Sequence, residues 1–149
     1  PQSVIHSMVE FHDGSVMAQM AVPDMHLPIQ YALGWPDRLP AHRMERLSLS
    51  RYGTLTFEEP DRRKFPLLQY AFDAIAAGGN KPCVLNAANE IAVAAFLRGE
   101  IRFTEMPEVV AQTMAEEVFM PSITLGDLVQ SNKSARARAA EIVKRIHNK

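Results

Sequence analysis

Apolar residues partly alternate with polar ones in the first part of the chain, a pattern that predicts β-strands. Residues 3–11 are rich in Val, Ile and Phe, and residues 15–22 form a second run of the same kind. Between them stands Asp13-Gly14, a hairpin signal that predicts a type I′ turn, in which both central residues need φ > 0. Two strands alone are marginal in water. We therefore expect the hairpin to belong to a sheet begun elsewhere in a longer protein.

The middle of the chain has no sustained period. Asp24 is the predicted N-cap of a short helix, which Pro28 enters in its first turn and Gly34-Trp35-Pro36 ends. Residues 47–49 (Leu-Ser-Leu) and 55–57 (Leu-Thr-Phe) could pair as short strands. The charged, proline-containing stretch 58–64 has the composition of a connection between domains.

From residue 65 onward the apolar positions repeat with a helical period. Helices are predicted after Pro66, over residues 82–98 and after an N-cap at Thr104. Thr124 with Asp127 resembles a capping box, and we expect a short helix there followed by a final basic one. The reading is an α+β fold: a β-hairpin, a connecting segment, and a bundle of about four helices.

Composition narrows the classes of protein that fit. The chain has 149 residues, 47% of them hydrophobic, and a net charge of −1, so no overall field points to nucleic acid or a membrane. Its only cysteine, Cys83, excludes an intrachain disulfide and fits a reducing compartment. No apolar run has the length of a membrane span.

Candidate chemistry in the hairpin centres on His6. Strand alternation places Ser3 and Ser7 on one face and His6 on the other, unless the strand is bulged. His6 could hydrogen-bond a phosphate or orient a substrate; the alternative is a histidine bonded within the sheet. Glu10 and His12 share its strand parity. At about 3.3 Å per residue the three span about 20 Å, too far for ligands of one ion with bonds of about 2 Å, so no metal site is predicted.

Three further features allow two readings each. Met25 beside a short helix is by itself most often a core residue. Asn86, Asn89 and Glu90 interrupt an apolar helix and could either bond an adjoining domain or face solvent. The basic side chains of the last helix could bind phosphate or nucleic acid, although near-zero net charge favours a solvated face.

Several separated blocks of sequence carry a family resemblance. PQSVIHSMV, DGSV, PDMHLPI, GWPDR, LTFEEPD and LNAANEIAVAAFL occur in order and resemble 1-deoxy-D-xylulose 5-phosphate reductoisomerases. That family uses NADPH and a divalent metal ion (Mg or Mn) to rearrange and reduce this sugar phosphate to 2-C-methyl-D-erythritol 4-phosphate, in isoprenoid precursor biosynthesis. The resemblance implies three parts: the C-terminal part of the catalytic domain at 1–35, a connecting segment at 36–64, and an α-helical C-terminal domain at 65–149.

The resemblance also implies roles for particular residues. His6 would be a catalytic, substrate-binding residue, with Ser3 a further candidate on the substrate side; Pro23 and Met25 would lie beside the cofactor. The family's metal-binding carboxylates stand upstream of these motifs, so none of them is expected here. The implied partners are the sugar phosphate and a second copy joined through the sheet, without nucleic acid or membrane, in the cytoplasm.

The resemblance does not make this chain a complete enzyme. A Gly-rich nucleotide-binding motif is absent from the 149 residues, so the chain alone is expected to be inactive. The alternative function is a non-catalytic binding or assembly module, whose exposed hairpin edge pairs with another chain. For the LNAANE block no chemical role follows from the sequence.

Overall fold

The computed structural model describes residues 2–40 and 44–148. Three portions of the sequence predictions lie outside these residues. They are Pro1, which opens the PQSVIHSMV motif, residues 41–43 of the predicted connecting segment, and Lys149 at the end of the helical part.

Two compact units make up the chain, residues 1–58 and residues 59–149. The boundary falls within the charged stretch 58–64. The finer division into a catalytic part, a connecting segment and a helical domain stays a prediction.

Unit 1 begins with an antiparallel hairpin of strands β1 (Ile5–Glu10) and β2 (Val16–Met20). The ladder is irregular near its open end, where two steps along β1 match one step along β2. The pairs on either side of this β-bulge are Ile5 with Met20 and Ser7 with Gln19. His6 is therefore the extra residue of the bulge, and simple alternation does not fix its direction.

The hairpin turn differs from the predicted type I′ turn. The Phe11 N–H donates to the Ser15 carbonyl at 2.9 Å, and the Gly14 N–H donates to the Phe11 carbonyl at 2.9 Å. Gly14 has φ 83°, whereas Asp13 is not left-handed. The loop is thus a longer one, with a glycine in the left-handed region before the second strand. The Asp13 carboxylate accepts hydrogen bonds from the Ser15 N–H and hydroxyl, so the Asp13 side chain stabilises the turn.

A short helix, α1 (His26–Gly34), follows the hairpin as predicted. Its first residue lies one position later than an Asp24 N-cap requires, because Met25 occupies the capping position without a side-chain bond. Asp24 still supplies the cap chemistry, since its carboxylate accepts the His26 N–H at 2.9 Å.

The predicted strand pair at 47–49 and 55–57 is wrong. Residue 49 instead opens a one-turn helix, α2 (Leu49–Tyr52), and residues 55–57 form no strand. The side chain of Gln2 takes the place of a partner strand: it donates to the Thr54 carbonyl at 3.4 Å and accepts from the Thr56 N–H at 3.2 Å. A triplet with two apolar residues is too short for its pattern to distinguish a strand from an irregular segment whose backbone is hydrogen-bonded by a side chain.

Unit 2 confirms the predicted set of about four packed helices. They are α3 (Pro66–Ala77), α4 (Lys81–Leu97), α5 (Met106–Glu116) and α6 (Leu125–His147). Helix α4 packs against the other three. Its buried face is made of small residues, which let helix axes approach closely: Val84, Ala87, Ala88, Ala92 and Ala95.

The start of α4 is anchored by a buried polar side chain. Asn80 is 1% exposed, and its amide donates to the Val118 carbonyl at 2.9 Å and to the Ser131 hydroxyl at 3.1 Å. Its side-chain oxygen accepts the Met120 N–H at 3.0 Å. All its polar groups are satisfied, so the burial is not penalised.

The helix boundaries in unit 2 bear out one predicted cap and overturn another. Thr124 and Asp127 form the capping box of α6. Thr104 is not an N-cap: it lies inside a 3-10 turn, Phe103–Glu105, and the Glu105 carboxylate accepts the Arg102 N–H at 2.6 Å.

The short helix and the final basic helix predicted after Thr124 are one continuous helix of 23 residues. No glycine or proline interrupts it beyond its first turn, so nothing in the sequence ends it early. In the described part of the chain no helix is long and apolar enough to cross a membrane.

Candidate functional site

A cavity of about 670 Å³ in unit 1 brings together three of the four predicted site residues. His6, Pro23 and Met25 all line it. The other lining residues come from β2, the β2–α1 connection, α1 and the segment after it: Gln19, Ala21, Asp24, Leu27, Pro28, Tyr31 and Arg38. An apolar wall with a few polar groups is the usual make-up of a small-molecule site.

Local backbone features direct these side chains into the cavity. His6 projects from the β-bulge, a device that re-aims a side chain beside functional sites. Pro23 and Met25 lie on the connection that Asp24 ties to α1. The Asp24 carboxylate accepts the His26 N–H at 2.9 Å and lies 2.6 Å from the His26 ring. These bonds, the backbone one foremost, lower the pKa of Asp24 from its ordinary value.

Ser3 is not part of this cavity. It lines a different hollow, shared with Gln2, Thr56 and Phe57, and its φ of 50° is unusual for a residue with a side chain. Sequence alternation places Ser3 and His6 on opposite faces, and the bulge between Ile5 and Ser7 interrupts that alternation at His6. The structure therefore groups His6 with Pro23 and Met25 rather than with Ser3.

Tyr31 and Arg38 are cavity residues that the sequence analysis did not single out. The Arg38 guanidinium carbon lies 3.7 Å from the centre of the Tyr31 ring, and the Tyr31 ring meets Trp35 edge to face with centroids 5.6 Å apart. A signal was present, because Trp35 and Arg38 both belong to the quoted block GWPDR.

The described residues contain no group of three or more His, Cys, Asp or Glu side chains that could hold a metal ion. The residues that line this cavity thus do not fit a divalent ion. Pro23, Met25 and Leu27 contribute apolar surface to the cavity lining.

The polar interruption of α4 has a structural explanation within unit 2. Asn86 donates to Glu90 at 2.8 Å, Glu90 forms an ion pair with Arg136 of α6, and Arg136 donates to Asn132 at 2.9 Å. The Arg136 hydrogen bond, followed by that of Asn86, lowers the pKa of Glu90. This network joins α4 to α6 within unit 2.

Three further basic side chains of α6 are paired as well. Arg138 and Arg145 both contact Glu116 of α5, at 3.4 and 3.0 Å, and Lys144 contacts Glu141 at 3.3 Å. Such exposed pairs add little stability. The ion pairs do give these basic groups acidic partners, which favours a solvated helix face over a phosphate or nucleic-acid site.

Comparison with known proteins identifies the family. Residues 20–138 match the family model of the DXP reductoisomerase C-terminal domain, and the chain belongs to that family. Pro23 and Met25 lie within the matched residues, whereas Ser3 and His6 precede them.

Individual relatives agree with the family match. The chain is 55% identical over 144 residues to 1-deoxy-D-xylulose 5-phosphate reductoisomerase of Chlorobium limicola, covering 96% of this chain and 37% of the relative. The enzyme of Pelotomaculum thermopropionicum is 47% identical over 148 residues, covering 99% and 38%. The chain therefore spans little more than a third of the length of these curated relatives.

Solved structures show the same relation. The reductoisomerase of Zymomonas mobilis in complex with NADPH superposes with a TM-score of 0.84 at 42% identity, covering 97% of this chain and 38% of that one. A reductoisomerase in complex with NADPH, fosmidomycin and magnesium gives a TM-score of 0.81 at 36% identity, covering 97% and 37%. The α+β architecture predicted from the sequence is confirmed by both strands and helices.

Proposed function

We propose that this chain is the C-terminal portion of a 1-deoxy-D-xylulose 5-phosphate reductoisomerase and supplies one wall of its active site. The complete protein would use NADPH and a divalent ion to form 2-C-methyl-D-erythritol 4-phosphate in the cytoplasm. The observation that carries the proposal is the cavity that groups His6 with Pro23 and Met25. The family resemblance implies roles for these three side chains, and the cavity is an independent observation that groups them.

In this proposal His6 acts on the substrate side. Its imidazole can donate or accept a hydrogen bond near neutral pH, and it projects from a bulge rather than from a regular strand position. Ser3 would contribute on the same side only if the substrate extended beyond the cavity, since Ser3 lines a different hollow.

Pro23 and Met25 would cover the nicotinamide ring. Their faces are apolar and polarisable, so they exclude water without competing for the transferred hydride. NADPH, when bound, supplies that hydride. The metal ligands of the proposed enzyme would lie outside this chain, since the described residues offer none.

The test is an assay of NADPH oxidation with the sugar phosphate and Mg²⁺. We expect turnover by the complete protein that the gene encodes and none by a polypeptide of residues 1–149. Comparable turnover by the polypeptide of 149 residues would contradict the assignment of the remaining site to other parts of the protein. No turnover by the complete protein would reject the proposed activity.

A second candidate function, chain-to-chain assembly, is favoured by the exposed hairpin. Met8, Val9, Val16 and Met17 are all more than half exposed although apolar. An edge strand of this kind invites pairing with another chain, and a homodimer joined through the sheet is compatible with the enzyme proposal. Light scattering of the complete protein should give the mass of a dimer; a monomer at high concentration would count against pairing.

A further inference from the structure

The segment after α1 carries a cation that the proposed catalytic roles do not use. Arg38 lines the same cavity as His6 and Met25, and its guanidinium lies on the Tyr31 ring, 3.7 Å from the ring centre. The Tyr31 ring also meets Trp35 edge to face, with ring centroids 5.6 Å apart. A guanidinium stacked on an aromatic face keeps its N–H donors in one plane, pointing outward from the ring edge.

The charged side chains of the cavity differ in whether they have hydrogen-bond partners. Besides the phenol of Tyr31, three ionisable side chains line it: His6, Asp24 and Arg38. One oxygen of the Asp24 carboxylate, Oδ1, accepts the backbone N–H of His26 and lies 2.6 Å from its ring. Within residues 2–40 and 44–148, the Arg38 guanidinium has no hydrogen-bond acceptor and no carboxylate partner. Arg38 is thus a permanent cation with free donors in a largely apolar cavity.

We infer that Arg38 binds a phosphate group of the molecule that occupies this cavity. The inference rests on the proposed function, whose two ligands, the nucleotide cofactor and the sugar phosphate, both carry phosphate. A planar fork of N–H donors matches phosphate oxygens two at a time, which lysine cannot do. The stack on Tyr31 orients the fork before the ligand arrives, so less conformational freedom is lost on binding.

The test measures binding directly, so that it does not depend on turnover. Calorimetric titration of the complete protein with NADPH and, separately, with the sugar phosphate would be compared for the unsubstituted protein, Arg38→Gln and Arg38→Lys. We expect Arg38→Gln to raise one of the two Kd values about tenfold, the loss of roughly one charge-assisted hydrogen bond. Arg38→Lys should recover only part of it. The ligand whose Kd rises is the one that Arg38 contacts.

Two controls separate a phosphate contact from a structural role. Tyr31→Leu removes the aromatic face that orients Arg38 and should weaken the same ligand as Arg38→Gln. Arg62 also lies over an aromatic ring, Phe72 at 5.0 Å, but it belongs to unit 2 and does not line the cavity. Arg62→Gln should change neither Kd.

Failure of this inference and failure of the proposed function look different. Unchanged Kd values for both ligands in Arg38→Gln, or an equal rise in Arg62→Gln, would overturn the role of Arg38 while the enzyme remained active. Normal binding with an Arg38-dependent Kd but no turnover would reject the activity and keep the phosphate contact. Binding of neither ligand by the unsubstituted protein would overturn both.

Discussion

The two units of this protein hold their side chains in place by different means. Unit 2 encloses a continuous apolar core, in which Val109, Val110 and Ile142 are fully buried. In unit 1 the only buried apolar residues among those described are Val4 and Ala21. The candidate site nevertheless lies in unit 1. Local backbone features therefore direct the cavity residues, whereas packing of apolar side chains holds the helical unit together.

The local features of unit 1 are few and identifiable. The bulge at His6, the carboxylate of Asp13 in the turn and that of Asp24 before α1 fix the backbone of the hairpin and of its connection to α1. None of them buries much surface, and burial is the dominant favourable term in folding. We therefore expect unit 1 to depend on surfaces outside itself, and unit 2 to be self-sufficient.

The largest expected effect comes from separating the units. A polypeptide of residues 59–149 should show helical circular dichroism and a cooperative thermal transition, because its core is internal. Residues 1–58 alone should show no cooperative transition, since a hairpin with little core is marginal. A gradual, non-cooperative melt of residues 59–149 would mean that the helices need the remainder of the chain.

Within unit 2, two glycines test how tightly the packing is set. Gly79 and Gly99 both have left-handed φ, 56° and 73°, but a Cβ at Gly79 would lie 2.1 Å from the Met120 carbonyl oxygen while one at Gly99 meets open space. Gly99→Ala should therefore lower the free energy of unfolding by about 1 kcal/mol, the cost of a left-handed backbone conformation for alanine. Gly79→Ala should cost about 3 kcal/mol or more, because backbone must also move.

Urea unfolding of residues 59–149 measures both costs. Equal losses of stability for the two variants would show that the backbone around Met120 shifts at little cost in free energy. That result would contradict the view that Asn80 anchors it.

In unit 1 the corresponding test is catalytic rather than structural. His6→Gln in the complete protein should lower kcat/KM for the sugar phosphate about a hundredfold, since misplacing a reacting group by about 1 Å has that effect. NADPH affinity and melting temperature should hardly change, because the His6 side chain is exposed. His12→Gln, in the hairpin turn outside the cavity, is the matched control. Near-native kinetics with a lowered melting temperature would make His6 a sheet histidine.

Met25 should affect the other ligand. Met25→Ala removes apolar cover from the nicotinamide side, so the KM for NADPH and the rate of hydride transfer should worsen by up to about tenfold. Met17 is an apt control, because the two methionines are 69% and 68% exposed but Met17 does not line the cavity. If Met17→Ala reproduced the kinetic effect, exposure of apolar surface rather than contact with the cofactor would be responsible.

The same contrast explains what the sequence could predict. The helices of unit 2 follow from apolar positions at helical spacing, and the Thr124–Asp127 box marks the start of α6 correctly. Tertiary or side-chain partners account for the errors: Gln2 pairs the 54–56 backbone in place of a strand, and Glu105 caps the turn assigned to Thr104. Neither partner leaves a periodic signal.

For the candidate site, family resemblance supplied what periodicity could not. His6, Pro23 and Met25 were proposed from quoted motifs, and the structure brings them to one cavity. Arg38 was missed because its significance depends on its stack with Tyr31, seven residues earlier across the end of α1. A contact that spans a helix terminus follows no repeat that sequence analysis can count.

The smallest expected effect concerns the cap of α6. Hydrogen bonds from the Thr124 hydroxyl, then from its N–H, lower the pKa of Asp127 below its ordinary value of 3.8. A carboxyl whose pKa is lower in the folded state stabilises the protein above the unfolded pKa and loses that contribution as pH falls through the folded value.

Asp127→Asn in residues 59–149 should therefore lower the melting temperature by about 4 °C at pH 7, and the difference from the unsubstituted polypeptide should shrink below pH 3.8. Glu141→Gln, on the exposed side of the same helix, should show no comparable pH dependence. A difference that stayed constant into acid would mean that the Asp127 carboxylate adds nothing through its charge, and that the cap depends on Thr124 alone.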